Sequence, residues 1–146
     1  MNHACGILST SYNRKILICL LLAHRDDYYG KILKKLVELS ISFAVEILNL
    51  VNKLKQNKEL IICNQIGRSG TSIGANIHEA QYAQSKLDFM SKLQIALKEA
   101  AETQYWLELL RDTGIVESDP DFVSLCEDCT ELIKLLTSSV NTVNTK

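Results

Sequence analysis

The sequence predicts an all-α domain that folds as an antiparallel up-down four-helix bundle, and three observations support this prediction. The chain of 146 residues is 47% apolar but contains one proline and six glycines, so long segments run without helix-breaking residues. Within these segments apolar residues recur at alternating spacings of three and four, which is typical of helices that pack at shallow angles. Short connections between consecutive helices make neighbouring helices antiparallel.

The first two helices are predicted over about residues 31–55 and about residues 58–82. Asn57 is expected to cap the N-terminus of the second helix. The residues that face the core form one stripe on each helix, called here its core stripe. In the first helix the core stripe is Leu33, Val37, Ser40, Ala44, Ile47, Val51 and Leu54, flanked by Leu36, Phe43 and Leu50. In the second helix it is Cys63, Ile66, Gly70, Ile73, Ile77 and Ala80.

The third helix is expected to begin after Ser85, which would act as its N-cap together with Asp88, and to end at Gly114. The fourth opens with Ser118-Asp119-Pro120, where a capping side chain precedes a first-turn proline, and its last turn is expected to fray over residues 141–146. The core stripe of the third helix is Phe89, Leu93, Ala96, Ala100, Thr103, Leu107 and Leu110. That of the fourth is Phe122, Cys126, Cys129, Ile133, Leu136, Val140 and Val143.

The bundle is predicted to occupy residues 30–146 as one domain, and residues 1–29 form a leader of different character. The leader contains the apolar run 16–23 after Arg14-Lys15, which resembles the core of a signal peptide but is too short to span a bilayer. We expect the leader to be a non-native or poorly ordered extension. The alternative is a short extra helix that packs its leucines on the bundle.

Charge and cysteine usage narrow the class of protein. The formal net charge is −1, which argues against strong nonspecific binding of nucleic acid, although a local basic patch is compatible with it. The cysteines are odd in number and scattered through helical segments, which favours free thiols in a reducing cytoplasm. They are Cys5, Cys19, Cys63, Cys126 and Cys129.

Three glycines interrupt the apolar pattern of the second helix. Gly67, Gly70 and Gly74 lie inside it, and each glycine in a helix interior costs roughly 1 kcal/mol relative to alanine. This cost indicates a compensating need, most simply another helix packed very close. We therefore predict close helix packing at these three positions.

A polar stripe runs along the second helix beside the glycines. Helical spacing places five of its residues on one side, and two glutamates on the third helix, three residues apart, could meet them. The stripe and the two glutamates are Gln65, Arg68, Ser72, Asn76, Glu79, Glu99 and Glu102. They predict either a polar binding or assembly site or a hydrogen-bond network that sets the register of the helices.

The sequence contains no pattern that predicts catalysis, and we expect no enzyme activity, catalytic residue, cofactor or metal. A di-iron carboxylate bundle needs Glu-x-x-His motifs, whereas His78 directly adjoins Glu79, so their side chains diverge on a helix. Cys126-Glu-Asp-Cys129 has the spacing of redox and zinc motifs, but both cysteines fall on a core stripe. We interpret them as small packing residues.

The third helix is apolar over more of its surface than a lone bundle helix needs. Its core stripe is widened on one flank by Met90, Leu97 and Ala101 and on the other by Ile95, Trp106 and Leu109. This width predicts a surface that contacts a partner, and self-association is the simplest explanation.

The central segment resembles a known family, the four-helix bundle proteins related to those encoded in 23S rRNA intervening sequences. The resemblance is carried by Gln65-Ile-Gly-Arg-Ser-Gly-Thr-Ser-Ile-Gly-Ala-Asn-Ile-His-Glu-Ala80 and by the block from Ser85 to Leu109. It extends over roughly residues 31–140 and leaves out the leader. A more distant similarity connects the chain to the accessory variability proteins of diversity-generating retroelements.

The resemblance implies an up-down bundle that assembles into rings, with the homopentamer as the expected form. Together with the cysteine usage and the lack of catalytic motifs, it leads us to expect a cytoplasmic, non-enzymatic protein with no membrane association. It also implies a binding or scaffold role, with RNA or an RNA-associated protein as the candidate partner. Many relatives carry two adjacent basic residues where this chain has Gly67-Arg68, which weighs against nucleic-acid binding. The alternative is a purely structural assembly protein without nucleic-acid contact.

Overall fold

Four long helices form the bundle in a computed structural model, which describes residues 27–116 and 119–144. The helices are α1 (Asp27–Gln56), α2 (Leu60–Ala80), α3 (Lys86–Asp112) and α4 (Pro120–Asn144). Each helix packs against the next one in sequence, and α4 closes the bundle against α1. No strand occurs in the two described ranges. The predicted fold class, an all-α four-helix bundle, is confirmed.

The helix bounds differ from the predicted ones by a few residues. α1 begins at Asp27, ahead of the predicted residue 31, whereas α2 is shorter at both ends than the predicted 58–82. α4 continues to Asn144, past the point where fraying was expected. Residues 1–26 of the predicted leader lie outside the described residues.

The predicted N-cap of α2 is wrong. Glu59 is the N-cap residue, and its carboxylate accepts a hydrogen bond from the Ile62 backbone N–H at 3.3 Å. Asn57 instead belongs to the turn that closes α1, because its N–H donates to the carbonyl of Leu54 and the chain then reverses at Lys58 with a φ of 60°. After this turn, Glu59 is the first residue whose side-chain oxygen can accept a hydrogen bond from a backbone N–H at the start of α2.

The predicted ends of α3 and the start of α4 agree with the structure. The Ser85 hydroxyl accepts from the Asp88 N–H at 3.1 Å, and the Asp88 carboxylate accepts from the backbone N–H of Gln84 at 3.0 Å. Gly114 has a φ of 74° just after the C-cap of α3, as expected of a left-handed C′ residue. At the start of α4, Asp119 accepts from the N–H of Asp121 at 3.1 Å, while Ser118 lies outside the described residues.

The core stripes predicted for α2 and α3 are buried throughout. The stripe predicted for α1 is turned, because the flanking Leu36, Phe43 and Leu50 are buried while Leu33 and Val37 are only partly buried. In α4, Leu125 and Leu132 are buried, and Cys126 and Ile133 are only partly buried. In both helices the apolar residues form more than one row, and the position of the neighbouring helices decides which row is buried.

All three glycines of α2 face α1. A Cβ atom added at Gly70 would lie 2.8 Å from Cγ1 of Ile47, closer than real Cβ contacts allow, and one at Gly67 would lie 3.3 Å from Cγ2 of Val51. At Gly74 the nearest atom would be the carbonyl oxygen of Ser40, at 3.4 Å. Close packing of α2 on α1 therefore depends on Gly70, where the contact is tightest, and to a lesser degree on Gly67, whereas Gly74 has room for a methyl group.

Replacement of Gly70 should therefore destabilise the fold, whereas replacement of Gly74 should not. We expect Gly70→Ala to lower the free energy of unfolding by about 1–3 kcal/mol through overpacking against Ile47, and Gly70→Leu to prevent folding. Gly74→Ala, the matched control, meets only ordinary van der Waals contacts and should raise stability by up to about 1 kcal/mol through helix propensity. Urea denaturation measures the free energy of unfolding of both variants. Equal effects of Gly70→Ala and Gly74→Ala would contradict the close contact at Gly70.

Candidate functional site

The polar stripe of α2 meets α3 through Arg68. Its guanidinium forms an ion pair and hydrogen bond with Glu102, and its Nη1 lies 3.6 Å from Oε2 of Glu99. The indole N–H of Trp106 donates to the same Glu102 carboxylate at 3.3 Å. One arginine thus joins two carboxylates that helical spacing places on the α2 side of α3.

A buried hydroxyl pair lies behind Arg68, in the interface between α2 and α3. The Thr103 and Ser69 hydroxyl oxygens are 2.9 Å apart, and both residues are fully buried. The Ser69 hydroxyl lies 2.9 Å from the Gln65 carbonyl and the Thr103 hydroxyl 2.7 Å from that of Glu99. Because buried hydroxyls need partners, this pair fixes the height of α2 relative to α3. Sequence analysis missed Ser69, although its position directly before Gly70 on the buried side was a signal.

The remaining residues of the predicted stripe have different roles. Ser72 donates to the carbonyl of Arg68, and the Asn76 amide donates to the carbonyl of Ser72, each at 2.8 Å, so both bind their own helix. Glu79 forms an ion pair with Lys92 of α3. Gln65 takes part through its carbonyl oxygen, which accepts from Ser69. The geometry brings Arg68, Glu99 and Glu102 together, and it favours a network that sets helix register.

The electrostatics of the site centre on Glu102. Its hydrogen bond from Arg68 lowers its pKa below the ordinary value, and the hydrogen bond from Trp106 acts in the same direction, while partial burial opposes both. Oε2 of Glu99 is buried and has no hydrogen bond in the protomer, and Nη1 of Arg68 lies 3.6 Å from it. The arginine is therefore the main group that stabilises the ionised form of Glu102 at the helix interface.

The described cysteines are buried or half-buried free thiols. Burial raises the pKa of Cys129 to about 12 and also raises the pKa of Cys126. A thiol with a raised pKa is protonated at neutral pH and is a poor nucleophile. Among the described residues no cluster of three or more His, Cys, Asp or Glu side chains could hold a metal ion, and none of the described helices could cross a membrane.

A second charged contact joins α1 to α4. Nζ of Lys53 lies 2.7 Å from Asp119 and 3.5 Å from Asp121. Lys53 lowers the pKa of Asp119, whereas partial burial, together with Asp128 and Asp121, raises the pKa of Glu46 in the same groove. This groove was not predicted from the sequence, because its charges come from helices at opposite ends of the chain.

Rows of apolar side chains are exposed on the outside of α1 and of α3. The α1 face consists of Ile41, Val45 and Leu48, which are 60%, 55% and 51% exposed. The α3 face consists of Ile95, Trp106 and Leu109, with Ile95 and Leu109 exposed by 36% and 38% and Trp106 partly buried.

The structure divides the two flanks that the sequence predicts for α3. On the flank predicted from Met90, Leu97 and Ala101, Met90 is buried and Leu97 is partly buried. This part of the predicted partner surface therefore belongs to the core. The α1 face escaped the sequence analysis, although its spacing of four and three residues is that of a helix-packing stripe.

Because the single tryptophan, Trp106, donates a hydrogen bond to Glu102, we predict that its fluorescence reports the protonation of this carboxylate. Because the folded-state pKa of Glu102 is lowered, its contribution to stability is present above the unfolded pKa of about 4.3 and is lost as the pH falls through the lower folded value. Arg68→Gln should shift the acid midpoint of Trp106 fluorescence upward, and Lys53→Gln, remote from the indole, should leave it unchanged. An unchanged midpoint in Arg68→Gln would refute the contact.

Comparison with known proteins places the fold in a family. The chain is similar to a protein of unknown function from the S23 ribosomal protein family of Bacteroides thetaiotaomicron, known from its crystal structure, with 49% sequence identity and a TM-score of 0.71. The match covers 75% of this chain and 98% of that chain. No curated protein matches the chain significantly. The family model of the 23S rRNA-intervening sequence protein matches residues 34–138, and the chain therefore belongs to the 23S rRNA-intervening sequence protein family.

Proposed function

We propose that this protein is a non-enzymatic helical bundle that assembles with copies of itself into a ring, with the homopentamer as the expected form. In that assembly it acts as a binding or scaffold module, and RNA or an RNA-associated protein is its candidate partner. The free thiols of Cys63, Cys126 and Cys129 support a cytoplasmic location. The raised pKa values of Cys126 and Cys129 support a packing role over a catalytic one.

The observation that carries self-assembly is the α1 face. Three large aliphatic side chains in a row, each more than half exposed, are unusual on a helix that already buries a full core stripe. Contiguous exposed apolar surface of this kind marks contact with another molecule, whereas single exposed apolar side chains are common. On α3, Ile95 and Leu109 are exposed by 36% and 38%, and Trp106 is of the residue type enriched at interface hot spots.

A charge placed on the α1 face should therefore dissociate the assembly. We expect Val45→Asp to raise the dissociation constant at least tenfold, because an aspartate would be buried in the contact without a partner. Val123→Asp is the matched control: Val123 is an exposed valine on α4, outside both faces and 59% exposed against 55% for Val45, and its change should leave the assembly intact.

Sedimentation velocity over a range of concentrations measures the outcome, with circular dichroism to show that both variants fold. A wild-type protein that is monomeric at high concentration would contradict the proposed function. An equal effect of Val45→Asp and Val123→Asp on the dissociation constant would also contradict it.

The charges on the surface favour the second candidate function, a structural assembly protein without nucleic-acid contact. Many of the basic side chains are paired with carboxylates within the protomer, which lowers the positive charge available to phosphates. The pairs are Lys34 with Glu38, Lys35 with Glu131, Lys53 with Asp119 and Asp121, Arg68 with Glu102 and Glu99, Lys92 with Glu79, and Arg111 with Asp112. The exposed Lys55 and Lys58, beside the turn between α1 and α2, offer an edge for an RNA contact.

Gel-shift experiments with a structured RNA at rising salt decide between the two candidates. If RNA is the partner, the affinity should fall steeply with salt, and changing both Lys55 and Lys58 to Glu should weaken binding at least tenfold. The control changes two other exposed lysines, Lys86 and Lys134, to Glu and should weaken binding much less. No shift at low salt would eliminate RNA as the partner and support the structural candidate.

A further inference from the structure

We infer that the contact between α1 and α4, which closes the bundle, is sensitive to pH: it is tighter in mild acid than at neutral pH, and Glu46 is the residue that makes it so. The inference is independent of the proposed function, because it concerns the packing within one protomer. The groove between the two helices, the order of charges along it and the residues that hold α4 in place support it.

The groove between α1 and α4 is a gap in the packing of the bundle, with a volume of about 200 Å³. Its floor is apolar and buried, and its walls carry polar and charged side chains. The floor consists of Leu50, Phe122 and Leu125, and the walls of Glu46, Asn49, Lys53, Asp119, Asp121 and Ser124. Helices separated by a gap gain fewer dispersion contacts than closely packed ones, so the charges on the walls have more weight in the closing contact.

Ion pairs join α1 to α4 at two points along this contact. Toward the start of α1, Lys35 is paired with Glu131 of α4 at 2.7 Å. Toward the end of α1, Lys53 lies 2.7 Å from Asp119 and 3.5 Å from Asp121. These pairs fix the register of the two antiparallel helices.

Glu46 lies between the two points. The register places it about level with Ser124, which lines the same groove. Asp121 and Asp128 lie one turn to either side of Ser124 on α4, and the charges of both act on Glu46. Among the ion pairs of the described residues, none includes Glu46 or Asp128. The middle of the contact therefore brings carboxylates together without pairing them.

Glu46 faces α4 and not the other helices. It precedes Lys53 by seven residues, which places both on the same side of α1. The adjacent Ile47 contacts Gly70 of α2, about 100° away around the helix, and α3 packs against α2 and α4. The charged groups around Glu46 are Lys53, Asp119, Asp121 and Asp128.

Acidification acts on the two kinds of charge in this groove in a fixed order. Partial burial, and then Asp128 and Asp121, raise the pKa of Glu46, so its ionised form weakens the fold above the folded pKa. This penalty disappears as the pH falls toward the unfolded value of about 4.3. Lys53 lowers the pKa of Asp119, so their ion pair persists in mild acid. Acid therefore removes the repulsion before it removes the attraction.

The start of α4 is the segment on which this balance acts. It is attached to α1 through the floor of the groove and through Lys53, whose side chain is half exposed, so that its ion pairs are individually weak. Segments held by few strong contacts open locally at a lower free-energy cost than global unfolding. We therefore expect residues 120–128 to open more often at neutral pH than in mild acid.

Hydrogen exchange of the intact chain, measured by mass spectrometry and corrected for the intrinsic pH dependence of exchange, tests the inference. In the wild type, the amides of residues 120–128 should be protected several-fold more strongly at about pH 5 than at about pH 7.5. Glu46→Gln should raise their protection several-fold at the higher pH and much less at the lower one. Glu38→Gln, the matched control at an exposed position of α1, should change neither value.

Unchanged protection in Glu46→Gln at about pH 7.5 would overturn the inference, and so would a gain of the same size at both pH values, because such a gain would not come from the charge. Asp128→Asn removes the facing charge and leaves Glu46 in place, so it should also raise protection, and it serves as the test if Glu46→Gln does not fold. The two changes together should gain less than the product of their separate gains, because they relieve the same repulsion.

Discussion

The contact between Gly70 and Ile47 sets how closely α2 packs on α1, and the placement of the polar stripe of α2 against α3 depends on it. Without a Cβ atom at residue 70, α2 packs against α1 closely enough that no larger side chain fits. The side of α2 that faces away from the glycines is thereby directed at α3, where Ser69 meets Thr103 and Arg68 meets Glu102. A helix with glycines on one side and hydroxyl and charged residues on the other can serve two different neighbours at once.

The polar residues of α2 are therefore used largely inside the protomer. Arg68 neutralises Glu99 and Glu102, the hydroxyls of Ser72 and Thr71 bind their own helix, and Glu79 is paired with Lys92. With these groups engaged within the protomer, the exposed apolar side chains of the α1 and α3 faces are available for assembly. This is the physical basis for assigning assembly to the outer faces of the bundle and a register-setting role to the polar stripe.

Much of the fold could be predicted because the apolar pattern of α2 and α3 is unambiguous. The buried side of α1 was harder to predict. One of its rows contains Leu33 and Val37, another contains Leu36 and Phe43, and both rows are apolar. Only the position of the neighbouring helices decides which row is buried. The cap at Glu59 depends on a backbone reversal at Lys58 that no side chain signals. The pairing of Arg68 with Glu102 was foreseeable from helical spacing, whereas the hydroxyl pair required knowing the relative height of the helices.

The central claim, that another copy of the chain covers the α1 face, is tested most directly by hydroxyl-radical footprinting of the intact protein. Ile41, Val45 and Leu48 are each more than half exposed in the protomer, and Leu87, on α3 outside the proposed contact, is 80% exposed. At concentrations where the protein assembles, the account predicts that the three α1 side chains are oxidised several-fold more slowly than on dilution, while Leu87 is oxidised at a constant rate. Equal oxidation of the α1 face at both concentrations would contradict it.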